Sequence, residues 1–283
     1  MNTVDLALLG CGNMGLAIVR GAIEKGVLRA DRVLGIDPSR EARERAASLG
    51  VRVSDDPTLA RDASHLLLAV KPQSFDGLAR TVSPIGASCM VISVMSGWTR
   101  LRIGASLHLR DGARRVIRAM PNLPATIGVG VTALAQDTRS ANDPSASPAP
   151  SRPAPVEFAE SLFRAVGDVV VVEESLLDAV TAVSGSGPAY AFLLAESMMD
   201  AAQRLGFDQE TARRLVVGTL DGAAALLKHD ARSPAELRTA VTSRGGTTEA
   251  ATRIWMERKI PDGIVEALVA AAARATELGR GAK

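Results

Sequence analysis

Hydrophobic residues in the first half of the chain fall into short runs that alternate with stretches of helical spacing. The runs predict strands at residues 4–9, 32–36, 51–53, 66–70, 89–94, 115–119 and 128–134, with an edge strand at 169–172. Between them, segments such as 12–25 and 39–49 have the spacing of amphipathic helices. This alternation is typical of βαβ units, whose right-handed crossovers place helices on both faces of a mainly parallel sheet.

From residue 175 onward the strand pattern disappears. Helical spacing instead predicts helices at residues 176–183, 188–205, 208–228, 233–241, 248–258 and 262–278. Several of these helices are apolar over more than one face, as in AAALL and ALVAAAA. Such helices favour burial against a second copy of the chain, and hence a homodimer. A self-contained bundle packed on the first half is the alternative.

The segment at about residues 137–155 differs from both halves. It reads DTRSANDPSASPAPSRPAP, in which Pro, Ser and Ala dominate and apolar residues show no period. Such a sequence buries too little apolar surface to offset the entropy lost on ordering. We therefore predict a mobile surface loop here.

The composition excludes several classes of site. Two Cys and three His among 283 residues are too few for a set of zinc sites or a disulfide framework, so we expect no metal. Cys11 and Cys89 are expected to be reduced and buried, as in a cytoplasmic protein. The net charge of +2 gives no reason to expect nucleic acid as a partner. No uncharged apolar stretch of about 20 residues predicts a membrane span, and the N-terminus lacks the basic region of a signal peptide.

A glycine-rich turn after the first predicted strand is the first candidate site. Gly10, Gly12 and Gly15 form a G-x-G-x-x-G pattern, with Asn13 and Met14 inside it, between a predicted strand and a predicted helix. In that context the glycines serve a tight turn, close approach to a pyrophosphate, and close helix–strand packing. The pattern predicts a dinucleotide site for NAD(P), with a purely structural turn as the alternative.

This turn and the helical second half together define the predicted fold. It is α/β: an N-terminal Rossmann-type doubly wound sheet in residues 1–174, followed by an all-α C-terminal dimerisation domain in residues 175–283.

Residues after the next strands bear on the choice of cofactor. Asp37 stands where an acid would bind the ribose of NAD, or where it would cap the following helix. Ser39 and Arg40 follow at once and suit the extra phosphate of NADP, so NADPH and NADH both remain open. Lys71 follows another strand at the carboxyl edge of the sheet, where ligands bind in such folds.

Five motifs occur in one order along nearly the whole chain. They are GCGNMG from Gly10, VKP from Val70, MPNLP from Met120, SGSGPAY from Ser184 and TSRGGTT from Thr242. In these motifs and their order the chain resembles the pyrroline-5-carboxylate reductase family. The resemblance implies NAD(P)H-dependent reduction of 1-pyrroline-5-carboxylate to L-proline, the last step of proline biosynthesis. It also implies a helical dimerisation domain and dimers that assemble further into a decamer.

The loop before the predicted helix at 248–258 is the candidate substrate site. Paired Gly245 and Gly246 would leave backbone N–H groups bare at a helix N-terminus, which suits a carboxylate. The hydroxyls of Ser243 and Thr247 are further donors, and by resemblance Thr248 is the catalytic residue that hydrogen-bonds the ring nitrogen of the substrate. Capping of the helix is the alternative role for both threonines.

The resemblance also extends the cofactor site and reveals two departures. Its cofactor-binding residues would be those of the glycine turn, Ser39, Arg40, Asp56, Ala69, Val70, Lys71, Pro72 and Asn122. Asp56 stands where related sequences often carry Asn, and an acid there would repel the phosphate of NADP. Arg244 stands where the family usually has Pro, which changes the stiffness and the charge of the substrate loop.

Three other functions compete with this interpretation. A β-hydroxyacid dehydrogenase would need a catalytic Lys and Asn after the second glycine motif, and PAYAFLLAESMMD contains neither. An imine reductase for a different substrate fits the same motifs. A non-catalytic dinucleotide-binding protein is disfavoured by the intact glycines and threonines of the substrate loop, although Arg244 keeps it open.

Overall fold

The computed structural model describes residues 4–110, 112–136 and 154–281. Its strands are β1 Leu6–Leu9, β2 Val33–Ile36, β3 Arg52–Ser54, β4 His65–Leu68, β5 Met90–Ser93, β6 Val116–Met120, β7 Gly130–Gln136 and β8 Gly167–Glu173. Residues 137–153, most of the loop predicted at 137–155, lie outside the described residues. Residues 154 and 155 belong to a helix, so the prediction of loop is wrong for these two.

The strands form one eight-stranded sheet in the order β3-β2-β1-β4-β5-β6-β7-β8. All neighbouring strands are parallel except β6 and β7. The first crossovers leave β1 inside the sheet, paired with β2 on one side and β4 on the other. Leu9 is level with both Ile36 and Leu68, so the turns that follow these three strands meet at one edge of the sheet.

Helices cover both faces of this sheet. In the first part of the chain they are α1 Asn13–Glu24, α2 Arg40–Ala47, α3 Phe75–Val82, α4 Arg100–Ser106, α5 Ala154–Arg164 and α6 Leu177–Val180. Alternate residues of β1 enter different apolar layers: Leu6 and Leu8 pack in one, Ala7 and Leu9 in the other. The doubly wound architecture predicted from the sequence is therefore confirmed.

The chain divides into two compact units. The first contains the described residues up to Ser186 and those from Ala271 on, and the second is Gly187–Ala270. The strand pattern ends at residue 174, but residues beyond it still belong with the sheet unit. For example, the hydroxyl of Thr276 donates to the Asp178 carboxylate at 3.0 Å. The sheet thus ends with β8 at Glu173, next to the predicted domain boundary at 174/175, while the compact units divide at Ser186/Gly187.

The second unit is entirely helical, as the sequence predicts. It contains α7 Gly187–Arg204, α8 Gln209–His229, α9 Pro234–Ala240, α10 Thr247–Glu257 and the first part of α11 Ile260–Gly281. In the single chain, its only buried hydrophobic residues are Ala212, Val216 and Leu237. Large apolar side chains on its surface include Phe192, Leu193, Leu205, Ile264, Val265 and Val269. This unit therefore exposes more apolar surface than a monomeric soluble protein normally does.

Candidate active site

The glycine turn between β1 and α1 is shaped by contacts that exclude side chains. Gly10 has a φ of +96°, and a Cβ on it would lie 2.6 Å from the carbonyl oxygen of Ala69. A Cβ on Gly15 would lie 2.6 Å from the carbonyl oxygen of Gly10. In contrast, a Cβ on Gly12 would meet nothing within 4 Å. Close packing therefore requires glycine at positions 10 and 15, whereas Gly12 borders open space.

That open space lies at the start of α1. Gly12 is the N-cap and contributes no side-chain hydrogen bond, and the first turn contains no acidic residue. The N–H groups of Asn13, Met14 and Gly15 occupy the first turn, where helical geometry supplies no backbone acceptor. Donors without a cap, combined with the positive end of the helix dipole, suit a pyrophosphate. This end of the site therefore fits a dinucleotide.

Asp37 ties the end of β2 to the glycine turn. Its Oδ2 accepts from the backbone N–H of Cys11 at 2.8 Å, and its Oδ1 accepts from the N–H of Ser39 at 2.8 Å. The cap of α2 is the hydroxyl of Ser39, which accepts from the N–H of Ala42 at 3.3 Å. Asp37 therefore does not serve as the cap of α2; its carboxylate faces the glycine turn.

The candidates for the adenosine end of the dinucleotide each have a partner within the chain. Arg40 pairs with Glu44 one turn along α2, at 2.8 Å and with both side chains exposed. Asp56 accepts from the backbone N–H and the hydroxyl of Thr58, and these hydrogen bonds lower the pKa of its carboxyl group. Ser39 uses its hydroxyl as a cap. All three lie on the surface near the ends of β2 and β3.

The segment after β4 lies against the glycine turn. Ala69 donates from its backbone N–H to the carbonyl of Leu9 at 2.8 Å. A side-chain methyl of Val70 would lie 3.0 Å from a Cβ on Gly10. Lys71 is exposed, and the carbonyl of Pro72 accepts from the indole N–H of buried Trp98 at 3.2 Å. The structure thus places Ala69 and Val70 against the glycine turn, and Lys71 and Pro72 follow them along the chain.

Asn122 follows β6 and has a structural contact that the sequence did not indicate. Its side-chain oxygen accepts from the backbone N–H of Val131 at 2.9 Å. It precedes the 3₁₀ turn Leu123–Ile127, which connects β6 to the antiparallel strand β7. Its side-chain amide nitrogen has no hydrogen bond to any residue that the structure describes.

The candidate substrate loop lies in the second unit, between α9 and α10. Gly245 has a φ of +73°, which only glycine adopts easily. Its N–H donates to Oε2 of Glu249 at 2.6 Å, and the N–H of Gly246 donates to the carbonyl of Ser243 at 3.0 Å. The prediction that the paired glycines leave their N–H groups bare is therefore wrong for this chain.

The donors that remain belong to the first turn of α10. Gly246 is the N-cap, without a side-chain hydrogen bond, so neither Thr247 nor Thr248 caps this helix. Among the described residues, the hydroxyls of these two threonines and of Ser243 have no hydrogen-bond partner. The capping alternative is therefore wrong, and the unused hydroxyls and first-turn N–H groups lie within one short segment.

Glu249 is a residue that the sequence reasoning missed. It occupies the third position of α10 and reaches back to the loop, as the glutamate of a capping box does. A cavity of about 330 Å³ lies beside it within the second unit, between α9 and α10. The cavity is lined by Arg238, Thr239, Thr242, Glu249, Thr252, Arg253 and Met256. The sequence signal for this contact was the capping-box spacing, in which Glu249 follows the N-cap residue Gly246 by three positions.

Comparison with known proteins finds two family models, one in each half of the chain. Residues 174–278 match the family described as pyrroline-5-carboxylate reductase dimerisation, and residues 5–97 match NADP oxidoreductase, coenzyme F420-dependent. The chain is 36% identical over 280 residues to a pyrroline-5-carboxylate reductase of Synechocystis sp., covering 98% of this chain and 99% of the relative. The chain belongs to the pyrroline-5-carboxylate reductase family.

Other relatives agree. A pyrroline-5-carboxylate reductase of Thermus thermophilus is 37% identical over 278 residues, covering 97% of this chain and 98% of the relative. The structure of a pyrroline-5-carboxylate reductase from Coxiella burnetii matches with a TM-score of 0.82 and 32% identity, covering 98% of both chains. A pyrroline carboxylate reductase of Plasmodium falciparum, solved with NADP bound, has a TM-score of 0.83 at 21% identity, with 99% of both chains covered. That last match shows the shared fold.

Membership of this family confirms several expectations. The chain is an oxidoreductase, and the reductase function predicted from its motifs is the function of the family. The nicotinamide cofactor expected from the glycine turn is confirmed by the match of residues 5–97. The dimerisation family over 174–278 supports a homo-oligomer with a small-molecule substrate. Among the residues that the structure describes, no helix is long and apolar enough to span a membrane.

Proposed function

We propose that this chain reduces 1-pyrroline-5-carboxylate to L-proline with two anion sites, each at an uncapped helix N-terminus. One binds the pyrophosphate of the dinucleotide and the other binds the carboxylate of the imine. One observation carries the proposal: α1 and α10 each begin at a glycine N-cap with no side-chain hydrogen bond. Helices α2, α4, α8 and α9 instead begin at a Ser, Thr or Asp whose side chain occupies the cap. An uncapped N-terminus keeps its N–H groups for a bound anion.

The first site binds the dinucleotide. Gly12 and the N–H groups of Asn13, Met14 and Gly15 would hold its pyrophosphate, while Gly10 supplies the tight turn. Ala69, Val70, Lys71, Pro72 and Asn122 would contact the rest of the dinucleotide. When bound, the reduced nicotinamide supplies a hydride to the carbon of the substrate's C=N bond.

The second site binds the imine. The substrate carboxylate accepts hydrogen bonds from the N–H groups of Thr247 and Thr248 and from the hydroxyls of Ser243 and Thr247. The hydroxyl of Thr248 hydrogen-bonds the ring nitrogen and fixes the orientation of the C=N bond. Because a protonated imine is already a strong hydride acceptor, orientation supplies most of the rate enhancement and no strong base is needed. Gly245 and Gly246 shape the loop and do not themselves donate to the substrate.

Both NADPH and NADH suit the first site. The Arg40–Glu44 pair is fully on the surface, where ion pairs contribute little, so the guanidinium is available to a ribose phosphate. The hydroxyl of Ser39 lies beside it, while the carboxylate of Asp56 opposes an additional phosphate. The ratio of the KM values for NADPH and NADH measures whether the attraction by Arg40 or the repulsion by Asp56 is stronger.

The apolar surface of the second unit supports a homodimer. Phe192 and Val265 are 59% and 63% exposed in the single chain, and burial against a second copy would remove such surface from water. Further assembly of dimers into a decamer, a cytoplasmic location, and the absence of nucleic-acid and membrane partners remain predictions from the sequence.

A panel of imines tests the substrate assignment. The purified chain is assayed with 1-pyrroline-5-carboxylate, with 1-pyrroline, which lacks the carboxylate, and with the six-membered cyclic imine carboxylate. If the uncapped α10 binds the carboxylate, kcat/KM for 1-pyrroline falls by about tenfold or more. Equal or faster turnover of 1-pyrroline would favour the alternative, an imine reductase of different substrate.

A further inference from the structure

We propose that Glu249 is a positioning residue for the substrate loop. In this proposal its carboxylate holds the amide of Gly245, and that bond fixes the place where the substrate carboxylate binds. The inference rests on the proposed role of residues 243–248 in binding the imine.

The hydrogen bond from Gly245 to Glu249 closes the loop onto its own helix. The N–H of Gly245 donates to Oε2 of Glu249 at 2.6 Å, shorter than the about 2.9 Å of an ordinary N–H···O bond, and a carboxylate acceptor favours such shortening. Gly245 has the left-handed φ of +73°, and Gly246 returns to extended backbone with a φ of −84° and a ψ of 175°. The carboxylate therefore restrains the residue at which the chain reverses direction.

Helix α9 shows what an ordinary capping box looks like in the same chain. There the carboxylate of Glu236 accepts from the N–H of Ser233, the N-cap residue, at 2.7 Å, and the Ser233 hydroxyl caps the first turn in return. In α10 the glutamate stands at the same helical position, but its partner is one residue farther out and the N-cap has no side chain. This half of a capping box closes the loop while leaving the first-turn donors of Thr247 and Thr248 open.

The residue before Gly245 adds no backbone restraint of its own. A proline ring would fix φ near −65°, whereas Arg244 imposes no such limit and its side chain is exposed. The bond from Gly245 to Glu249 is then the side-chain contact that holds the loop next to α10.

Two substitutions separate the hydrogen bond from the charge. Glu249→Ala removes the acceptor, so the KM for 1-pyrroline-5-carboxylate rises about tenfold while kcat falls by less than about threefold. The KM for the dinucleotide stays at the wild-type value. Glu249→Gln keeps a side-chain oxygen, and its KM for the imine lies within about threefold of wild type.

A matched control and a structural readout accompany these assays. Glu257→Ala removes an exposed glutamate from the far end of α10, where its carboxylate lies 3.9 Å from Arg253, and it leaves all kinetic constants unchanged. Amide hydrogen exchange of Gly245 reports the bond itself. It is faster in Glu249→Ala than in wild type or in Glu257→Ala, because the amide has lost its acceptor.

Three outcomes would overturn the proposal. The first is an unchanged KM for the imine in Glu249→Ala with unchanged exchange at Gly245. The second is a lowered KM, which would mean that Glu249 competes with the substrate carboxylate. The third is a Glu249→Gln variant no better than Glu249→Ala. If the wild-type chain did not turn over 1-pyrroline-5-carboxylate at all, the proposed function would fail, and exchange at Gly245 would still decide whether Glu249 restrains the loop.

Discussion

The carboxylate of Asp37 accepts a hydrogen bond of 2.8 Å from the backbone N–H of Cys11, inside the glycine turn. The end of β2 thereby holds the turn that follows β1. The same arrangement buries the thiol of Cys11. Burial, with the nearby negative charge of Asp37 as a smaller cause, raises the pKa of that thiol to about 12. Cys11 is therefore a small neutral packing residue at neutral pH, and the chemistry of the turn belongs to its backbone.

Gly12 and Gly15 should respond oppositely to substitution by alanine. Gly15→Ala places a Cβ 2.6 Å from the carbonyl oxygen of Gly10, so we expect a loss of about 1–3 kcal/mol in the free energy of unfolding. Gly12→Ala meets no atom within 4 Å and should keep the wild-type Tm. Its methyl group would enter the space assigned to the pyrophosphate, so the KM for the dinucleotide should rise about tenfold or more. Calorimetry and steady-state kinetics on both variants decide this, and an unchanged KM in Gly12→Ala would contradict the pyrophosphate site.

Thr248→Ala should slow the reaction without weakening dinucleotide binding. Loss of the hydroxyl that orients the C=N bond is expected to lower kcat by about tenfold to a hundredfold. Thr248→Ser keeps a hydroxyl and should retain most of the rate. Thr252→Ala is the control, because the Thr252 hydroxyl donates to the Thr248 carbonyl at 2.9 Å within α10 and has no assigned role. Equal rates in wild type and Thr248→Ala would refute the assignment.

His65 should make the first unit less stable in mild acid. Burial, partly offset by the Asp5 carbonyl 3.1 Å from Nδ1, lowers the pKa of this imidazole, and its ring stacks on Phe158 with centroids 3.8 Å apart. The unfolded chain therefore takes up the proton more readily, so stability falls as pH drops below about 6.5.

The comparison is between the urea-unfolding free energies of wild type and His65→Phe at about pH 7.5 and pH 5.5. Wild type should lose more stability than the variant over this interval, because only wild type has an imidazole that takes up a proton on unfolding. His229→Phe, which changes an exposed histidine, should follow wild type. Identical losses in wild type and His65→Phe would show that His65 carries no such linkage.

Phe192→Asp should convert the assembled protein to single chains. The Phe192 side chain is 59% exposed in one chain, and two-fold symmetry would place the new carboxylate in the interface twice. Sedimentation of the variant should give the mass of a monomer. Leu101→Asp alters a side chain that is 74% exposed in the first unit and should keep the wild-type mass. A monomeric wild type, or an assembled Phe192→Asp, would contradict the homodimer.

Patterns that depend on neighbouring residues were readable from the sequence. The apolar run that became β1 and the glycines that follow it predict a buried strand and a phosphate turn, because burial and backbone sterics act locally. The bond between Cys11 and Asp37 spans 26 positions and depends on the strand order, which no local pattern specifies. The bond from Gly245 to Glu249 was missed for another reason. It depends on the left-handed φ of Gly245, and a glycine permits that conformation without requiring it.

In the proposed reaction, this chain transfers a hydride from a reduced nicotinamide dinucleotide to 1-pyrroline-5-carboxylate. The most direct measurement mixes the purified chain with this imine and either NADPH or NADH, and follows both the absorbance of the reduced cofactor and the formation of L-proline. We expect oxidation of at least one cofactor with an equal amount of L-proline formed. Absence of oxidation with both cofactors, or oxidation without L-proline, would contradict the claim.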